Sequence, residues 1–412
     1  MRNASADART ASRSLLWLCA LAALLEGFDN QSMGVAAPGL VPEFGLDARH
    51  MAWIFSAAPV GLFLGAAAGG RLADRYGRRG TLAGSMLLLG TCSLLTAFAP
   101  GLYGLLLARF LTGLGLGGAM PNFIAIASEG TAPARRISWV TFIMAGMPFG
   151  GLLAGVVALG ERRLGYEWRT IFEVGGVAPI LLAVALWRLL PAARTATAAR
   201  TATGEAPAAG VALEAVGSVL FGGGRRRTTL LLWGGFFFTQ LVLLLMLNWL
   251  PSLFVKLGYT REQASLASMC FNFFGASCSV LLGRLHAGAR RALWVVVTYA
   301  AMAAALVVIP LAGNVLALAY AGVAVAGVFM VGAQMILFAL APLYYAHAVR
   351  GTGTGWAVAI GRLGSVFGPL YAGALLSAGA STGMVLIGIV PFVALGGTSA
   401  FLLAARPRPA LE

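Results

Sequence analysis

Charge is scarce in this chain. Only 10% of its 412 residues are Asp, Glu, Lys or Arg, against about 25% in an ordinary soluble domain, and a water-facing surface cannot be built from so few. Acidic residues are the scarcest, 14 against 29 basic ones. The net charge of +15 would suit nucleic acid if the arginines lined one face, but they fall in short loops between apolar stretches, so no nucleic-acid partner is expected. Four cysteines, Cys19, Cys92, Cys270 and Cys278, lack CxxC spacing. Neither a metal site nor a disulfide framework is expected from them, and they read as small buried hydrophobes. The glycine run Gly113-Leu114-Gly115-Leu116-Gly117-Gly118 lacks the Gly-Lys-Ser/Thr ending of a phosphate loop, so no nucleotide site follows. No nucleophile or cofactor motif accompanies the charges that remain. An enzyme is therefore not expected, and neither is a cofactor.

What is present is apolar, 59% of the residues besides 55 glycines, gathered in blocks of about 20, the length a helix needs to cross a hydrocarbon core about 30 Å thick. The blocks predict twelve spans, at 15–37, 51–72, 80–99, 102–127, 137–160, 169–190, 229–255, 263–283, 292–312, 315–341, 352–377 and 382–404. The fold class is an all-α membrane protein. Arg9 and Arg13 before the first span resemble a secretory leader, but Glu26 and Asp29 interrupt that span, which marks a retained helix. Most basic residues fall on one side of the membrane if both termini are cytoplasmic. Residues 191–228, rich in Ala, Thr, Gly and Arg, read as a flexible linker. The predicted organisation is a cytoplasmic tail (1–14), a six-helix bundle (15–190), the linker (191–228), a second six-helix bundle (229–404) and a short cytoplasmic tail (405–412).

Ionisable groups at membrane depth are costly and mark function by default. Glu26 lies about 16 Å into the first span and Asp29 one turn beyond, on the same helix face. Two carboxylates so close in low dielectric disfavour double ionisation, which is what a proton carrier requires. Arg109 in the fourth span and Arg362 in the eleventh lie about 12 and 16 Å deep by the same rise. Their permanent charge and planar fork suit a carboxylate. Two acids and two arginines sum to zero, one bound monocarboxylate makes the set −1, and one proton restores neutrality. One-to-one electroneutral symport of an organic acid follows as the expectation. Asn122, after Pro121, and Asn248, before Trp249 and Pro251, are polar groups deep enough to need partners, helix-to-helix bonds being the alternative to substrate contact. Phe28, Trp249, Tyr344 and Tyr345 are candidates to stack a ring. Glu129, near Arg135 and Arg136, reads as a gate or interface ion pair, and Arg350 as a gate.

The loop Gly70-Arg71-Leu72-Ala73-Asp74-Arg75-Tyr76-Gly77-Arg78-Arg79 has a degraded echo at Gly283-Arg284-Leu285-His286-Ala287-Gly288-Ala289-Arg290-Arg291. The first copy resembles the GxLADRxGRR signature of the major facilitator superfamily, whose two six-helix halves rock about a midplane site. Asp74, Arg75 and Arg78 are thereby candidate gating residues, with Asp74 placed to latch one state. The segment Glu26-Gly27-Phe28-Asp29 further resembles the DGxD signature of the aromatic acid:proton symporter family, with Glu26 where most members carry Asp. Arg109 through Pro121-Asn122, Trp168-Arg169, Asn248-Trp249-Leu250-Pro251, Leu340 through Tyr345, and Arg350 through Gly361-Arg362 also agree. They look most like the branch that imports 3-hydroxyphenylpropionate.

The resemblance implies uptake of an aromatic carboxylate with protons across a bacterial inner membrane by alternating access, in a chain functional as a monomer within the lipid bilayer. It assigns proton coupling to Glu26 and Asp29, substrate or coupling roles to Arg109, Asn122, Glu129 and Arg362, and conformational roles to the Asp74 loop and Arg350. Asn248, Trp249 and Phe28 complete the candidate substrate site. A drug:proton antiporter of the same fold is the alternative. Against it, Gly146-Met147-Pro148-Phe149-Gly150-Gly151 puts Pro and Gly out of register with the exporters' element, and two deep arginines suit anions.

Overall fold

The computed structural model describes residues 2–129, 133–164, 167–189, 217–218, 220–222, 224–287, 290–345 and 350–406. Helices account for nearly all of them, because in lipid every backbone N–H and C=O must find its partner within the segment. In chain order they are α1 (Arg2–Phe44), α2 (Ala48–Ala97), α3 (Leu102–Glu129), α4 (Pro133–Leu164), α5 (Arg169–Leu189), α6 (Arg226–Lys256), α7 (Arg261–Ala287), α8 (Arg291–Leu311), α9 (Leu316–Leu340), α10 (Arg350–Ser377), α11 (Thr382–Gly388) and α12 (Val390–Ala404), with a 3-10 turn at Ala341–Tyr344. No strand occurs among the described residues. Ten stretches among them are long and apolar enough to cross a membrane, two of these lying within α2 and one running through α11 and α12. The first and eighth predicted spans fall in α1 and α7, the more polar helices. They bury Glu26, Asp29, Gln31 and Ser32, and Ser265, Ser268 and Asn272.

Three boundaries differ from those predicted. The second and third spans meet at a single residue, Gly77 (φ 79°, ψ 155°), where the helical backbone of α2 breaks. The arginine-rich loop is therefore helical up to a single residue whose backbone an L side chain rarely adopts. α1 continues past residue 37 to Phe44, through Pro38 and Pro42. The last span divides at Ile389, just before Pro391.

The chain forms two compact units, Met1–Leu46 with Ala57–Pro207, and Asp47–Ser56 with Ala208–Glu412. In the first, α1 packs along α4 with no side chain between the backbones. A Cβ on Gly27 would lie 1.8 Å from the Met147 carbonyl oxygen, and one on Gly150 would lie 1.8 Å from that of Leu24. In the second, α6 packs along α10 by the same device. Cβ atoms on Gly364 and Gly368 would meet the Phe237 and Leu241 carbonyl oxygens at 2.1 and 2.2 Å. Without a hydrophobic force between helices in lipid, small residues that admit close backbone contact drive such packing. In both units this contact fixes the helix that carries deep charge, α1 in one and α10 in the other.

Candidate functional site

In the first unit the fold brings Asp29 and Arg109 together. α1 presents the carboxylate and α3 the guanidinium. Nη1 of Arg109 donates to Oδ1 of Asp29 and Nη2 to Oδ2, both at 2.9 Å. The fork-to-fork geometry is the strongest form of charge-assisted pair, and the pair is almost sealed from solvent, with 1% and 3% of the two side chains exposed. Phe172 of α5 lies beneath it, its ring centre 5.9 Å from Cζ of Arg109, in reach of a cation–π contact. Nε of Arg109 is buried without a hydrogen-bond partner, so one donor of the guanidinium stays uncommitted while the other two nitrogens are held by Asp29.

Glu26 stands one turn before Asp29 on α1 and is fully buried. Gly27 and Gly150 set that depth, because their contacts bracket Glu26 along α1. Phe28 is buried as well, its ring against Gly175 of α5, and its carbonyl accepts from the Ser32 hydroxyl at 2.7 Å. Asn122 is buried on α3, where its Nδ2 donates to the Gly118 carbonyl of its own helix at 2.7 Å.

The second unit holds the remaining candidates. Asn248 is buried on α6 and donates to the Leu244 carbonyl at 2.9 Å, again within its own helix. Trp249 is 2% exposed. Its indole N–H donates to the Pro369 carbonyl at 3.2 Å, and its ring meets that of Phe55 edge to face at 5.1 Å. Trp249 thus ties α6 to α10 and to the segment Asp47–Ser56. Arg362 is half-buried on α10, and its carbonyl accepts from the Ser365 hydroxyl at 2.6 Å. Tyr344 and Tyr345 are buried. The Tyr344 hydroxyl donates to the Leu403 carbonyl, and that of Tyr345 lies 3.0 Å from the Thr229 hydroxyl.

Of the gating candidates, Arg75 is exposed, with its guanidinium 5.4 Å over the Tyr76 ring, and Arg78 is half-buried. Of the side chains of Asp74, Glu129, Arg135, Arg136 and Arg350 nothing is described, and most of the 191–228 linker lies outside the described residues.

A cluster that composition alone did not mark closes the far end of α1. Oε2 of Glu43 accepts from the Trp168 indole at 2.6 Å and from Nη1 of Arg169 at 3.0 Å, and Oε1 accepts from Nη2 of Arg169. Arg169 also donates to Glu167 at 3.0 Å and lies 4.6 Å over the Trp168 ring. The Trp168-Arg169 pair was visible in the sequence; its partner, 125 residues away, was not. The clasp accounts for the extension of α1 beyond its apolar stretch.

Hydrogen bonds, chiefly from Arg169 and then from Trp168, hold the Glu43 carboxyl below its ordinary value. A carboxyl lowered in this way adds stability at pH values above its unfolded value, about 4.3, and loses it as pH falls through the folded one. At pH 7, Glu43→Gln is expected to cost up to about 1 kcal/mol, since the pair is partly exposed. Thermal unfolding in detergent should show that difference closing as the buffer is acidified below about pH 4.

A buried acid–base pair on membrane-embedded helices, beside a second buried acid, is the kind of group that substrate and proton pathways of membrane transporters carry. The profile of the Major Facilitator Superfamily matches residues 19–369, and the chain belongs to that superfamily. The 3-(3-hydroxy-phenyl)propionate transporter of Escherichia coli (strain K12) is 40% identical over 94% of this chain and 93% of its own length. The 4-hydroxybenzoate transporter of Pseudomonas putida is 34% identical over 92% and 89%. Among solved structures, a bacterial homologue of the human lysosomal transporter Spinster, in an inward-facing and occupied conformation, superposes with a TM-score of 0.76 at 16% identity, covering 97% of this chain and 99% of that one. A D-xylose-proton symporter does so with a TM-score of 0.74 at 17% identity and the same coverage. These two likenesses establish the twelve-helix fold.

Proposed function

We propose that this protein imports aromatic carboxylic acids together with protons, by alternating access, across a bacterial inner membrane with both termini in the cytoplasm, as a monomer. The observation that carries the proposal is the sealed Asp29–Arg109 pair beside buried Glu26, in a chain whose relatives are named as transporters of 3-(3-hydroxy-phenyl)propionate and 4-hydroxybenzoate. Glu26 and Asp29 form the proton-coupling pair. Arg109 and Arg362 supply positive charge for the substrate carboxylate, and Phe28, Asn122, Asn248 and Trp249 shape the surroundings of these groups. Asp74, Arg75, Arg78, Glu129 and Arg350 act in gating, and the two predicted bundles, 15–190 and 229–404, are the halves that move.

Asp29 is committed to Arg109 through both oxygens, so Glu26 is the acid whose protonation neutralises the loaded site at least structural cost. In proteoliposomes with an imposed pH gradient, Glu26→Gln should keep exchange of labelled 3-hydroxyphenylpropionate for unlabelled substrate while losing accumulation against a gradient. Normal accumulation by both Glu26→Gln and Asp29→Asn would remove the proton assignment. Net uptake driven by membrane potential alone would rule out the one-to-one electroneutral stoichiometry.

A further inference from the structure

Two buried carboxamides in the second unit belong to none of the groups above. Gln240 on α6 and Gln334 on α9 are 9% and 7% exposed, and the Oε1 atom of each is buried without a hydrogen-bond partner. Leaving one such acceptor unpaired costs about 1–3 kcal/mol. Two at once in one apolar bundle call for a donor that arrives from elsewhere.

Helix register places the two at one level. The rings of Phe236 on α6 and Phe338 on α9 meet edge to face, centroids 5.4 Å apart, and a Cβ on Gly235 would touch Leu337 at 3.0 Å. Successive spans alternate in direction, so α6 and α9, three spans apart, are antiparallel. Gln240 is four residues after Phe236 and Gln334 four before Phe338. Each therefore sits one turn from the ring pair on the same helix face, and both steps lead the same way along the bundle. The result is a layer of two carboxamide acceptors stacked on a layer of two aromatic rings. Arg362 is close in register as well. A Cβ on the preceding residue, Gly361, would lie 3.2 Å from Cβ of Phe236.

Acceptors above an aromatic surface match a substituted ring. The ring edge packs on Phe236 and Phe338, and a phenolic O–H donates to one carboxamide oxygen while its own oxygen accepts from an N–H of the other carboxamide. We propose that Gln240 and Gln334 form a ring-hydroxyl subsite that makes the transporter prefer hydroxylated aromatic acids to their unsubstituted analogues. This rests on the proposed transport of aromatic carboxylates and names the group that reads the ring. A site built to hydrogen-bond a hydroxyl rejects the analogue lacking it, because the buried acceptor that the hydroxyl would pair is then left without a donor.

The test uses full-length protein in proteoliposomes, with inhibition of labelled 3-hydroxyphenylpropionate counterflow by unlabelled 3-hydroxyphenylpropionate and by 3-phenylpropionate. Wild type should favour the hydroxylated acid at least tenfold. Gln240→Leu and Gln334→Leu, which remove the unpaired acceptors at similar volume, should each cut that ratio severalfold, and the double variant should bring it close to one. The loss should come from weaker binding of the hydroxylated acid, with 3-phenylpropionate unchanged or improved.

Thermal unfolding without substrate supplies a second readout. The leucine variants should be at least as stable as wild type, because an unpaired polar atom has been replaced by an apolar one. Ratios unchanged within twofold, or equal weakening of both acids, would overturn the subsite while leaving aromatic acid transport intact. A wild-type protein that carries and binds neither acid would overturn the transport proposal itself, and the subsite with it.

Discussion

Replacing Arg109 with methionine is expected to destabilise the protein by about 3–5 kcal/mol and to abolish transport. The figure is that for stranding one member of a buried ion pair, where the loss comes less from the missing attraction than from the charge left without compensation. Asp29 is 1% exposed and both its oxygens accept from Arg109, so no solvent reaches the carboxylate to replace the guanidinium. Asp29→Asn should be costly for the complementary reason, leaving a cation above the Phe172 ring with no anion.

The double variant Asp29→Asn/Arg109→Met separates structure from function. Removing both charges together often costs little or even stabilises, so the double variant should regain most of the unfolding temperature lost in either single one. It should remain inactive in transport. Equal stability of wild type and Arg109→Met in detergent would contradict a sealed pair.

The second large effect is expected at the contact between α1 and α4. Gly27→Ala would set a methyl group 1.8 Å from the Met147 carbonyl oxygen and 2.5 Å from its carbonyl carbon and Cα. All three are backbone atoms, so no rotamer change relieves the overlap. The helices must part by about 1.5 Å to reach ordinary contact, and overpacking of this kind costs about 1–3 kcal/mol or more. Gly150→Ala should do the same from the other side, against the Leu24 carbonyl and the Phe28 amide.

Glu26 lies between these contacts, so the displacement moves it and Asp29 relative to Arg109. Misplacing a positioned group by an ångström can cost on the order of 10²-fold in rate. Transport by Gly27→Ala should fall at least tenfold even at temperatures where the protein stays folded. Gly84→Ala is the control. Nothing lies within 4 Å of its Cβ position, and alanine there should be neutral or gain up to about 1 kcal/mol from helix propensity.

Much of this architecture was legible in the sequence, for reasons particular residues make plain. Asp29 and Arg109 were legible because charge is so rare in apolar spans that each instance has to be explained, and counting residues from the span ends already put both near mid-depth. Glu43 was not, because a carboxylate beyond the end of an apolar stretch looks like any solvated charge until the fold carries Trp168 and Arg169 to it. Gly77 hid for a different reason. Six polar residues around it read as a loop, whereas one residue of positive φ suffices to turn α2.

Trp249 shows the limit of reading chemistry from residue type. Its ring was a candidate to stack a substrate, and the fold gives its N–H to Pro369 and its edge to Phe55. Asn122 and Asn248, singled out as polar groups in need of partners, found them in the carbonyls four residues back. Gln240 and Gln334 would have answered the same question. A longer side chain reaches past the carbonyls of its own helix, and that difference was open to inspection in the sequence.

The glycine contacts also follow the same order of spans in the two units. Counting spans within each unit, the backbones that touch through Gly27 and Gly150 belong to the first and fifth, and those that touch through Gly364 and Gly368 belong to its first and fifth as well. The second and fourth spans repeat the correspondence, through Gly65 with Leu114 in one unit and Gly327 with Phe271 in the other. Both units thus rest main chain on main chain at corresponding spans, where an added side chain has no room, while their acidic groups and loop sequences differ.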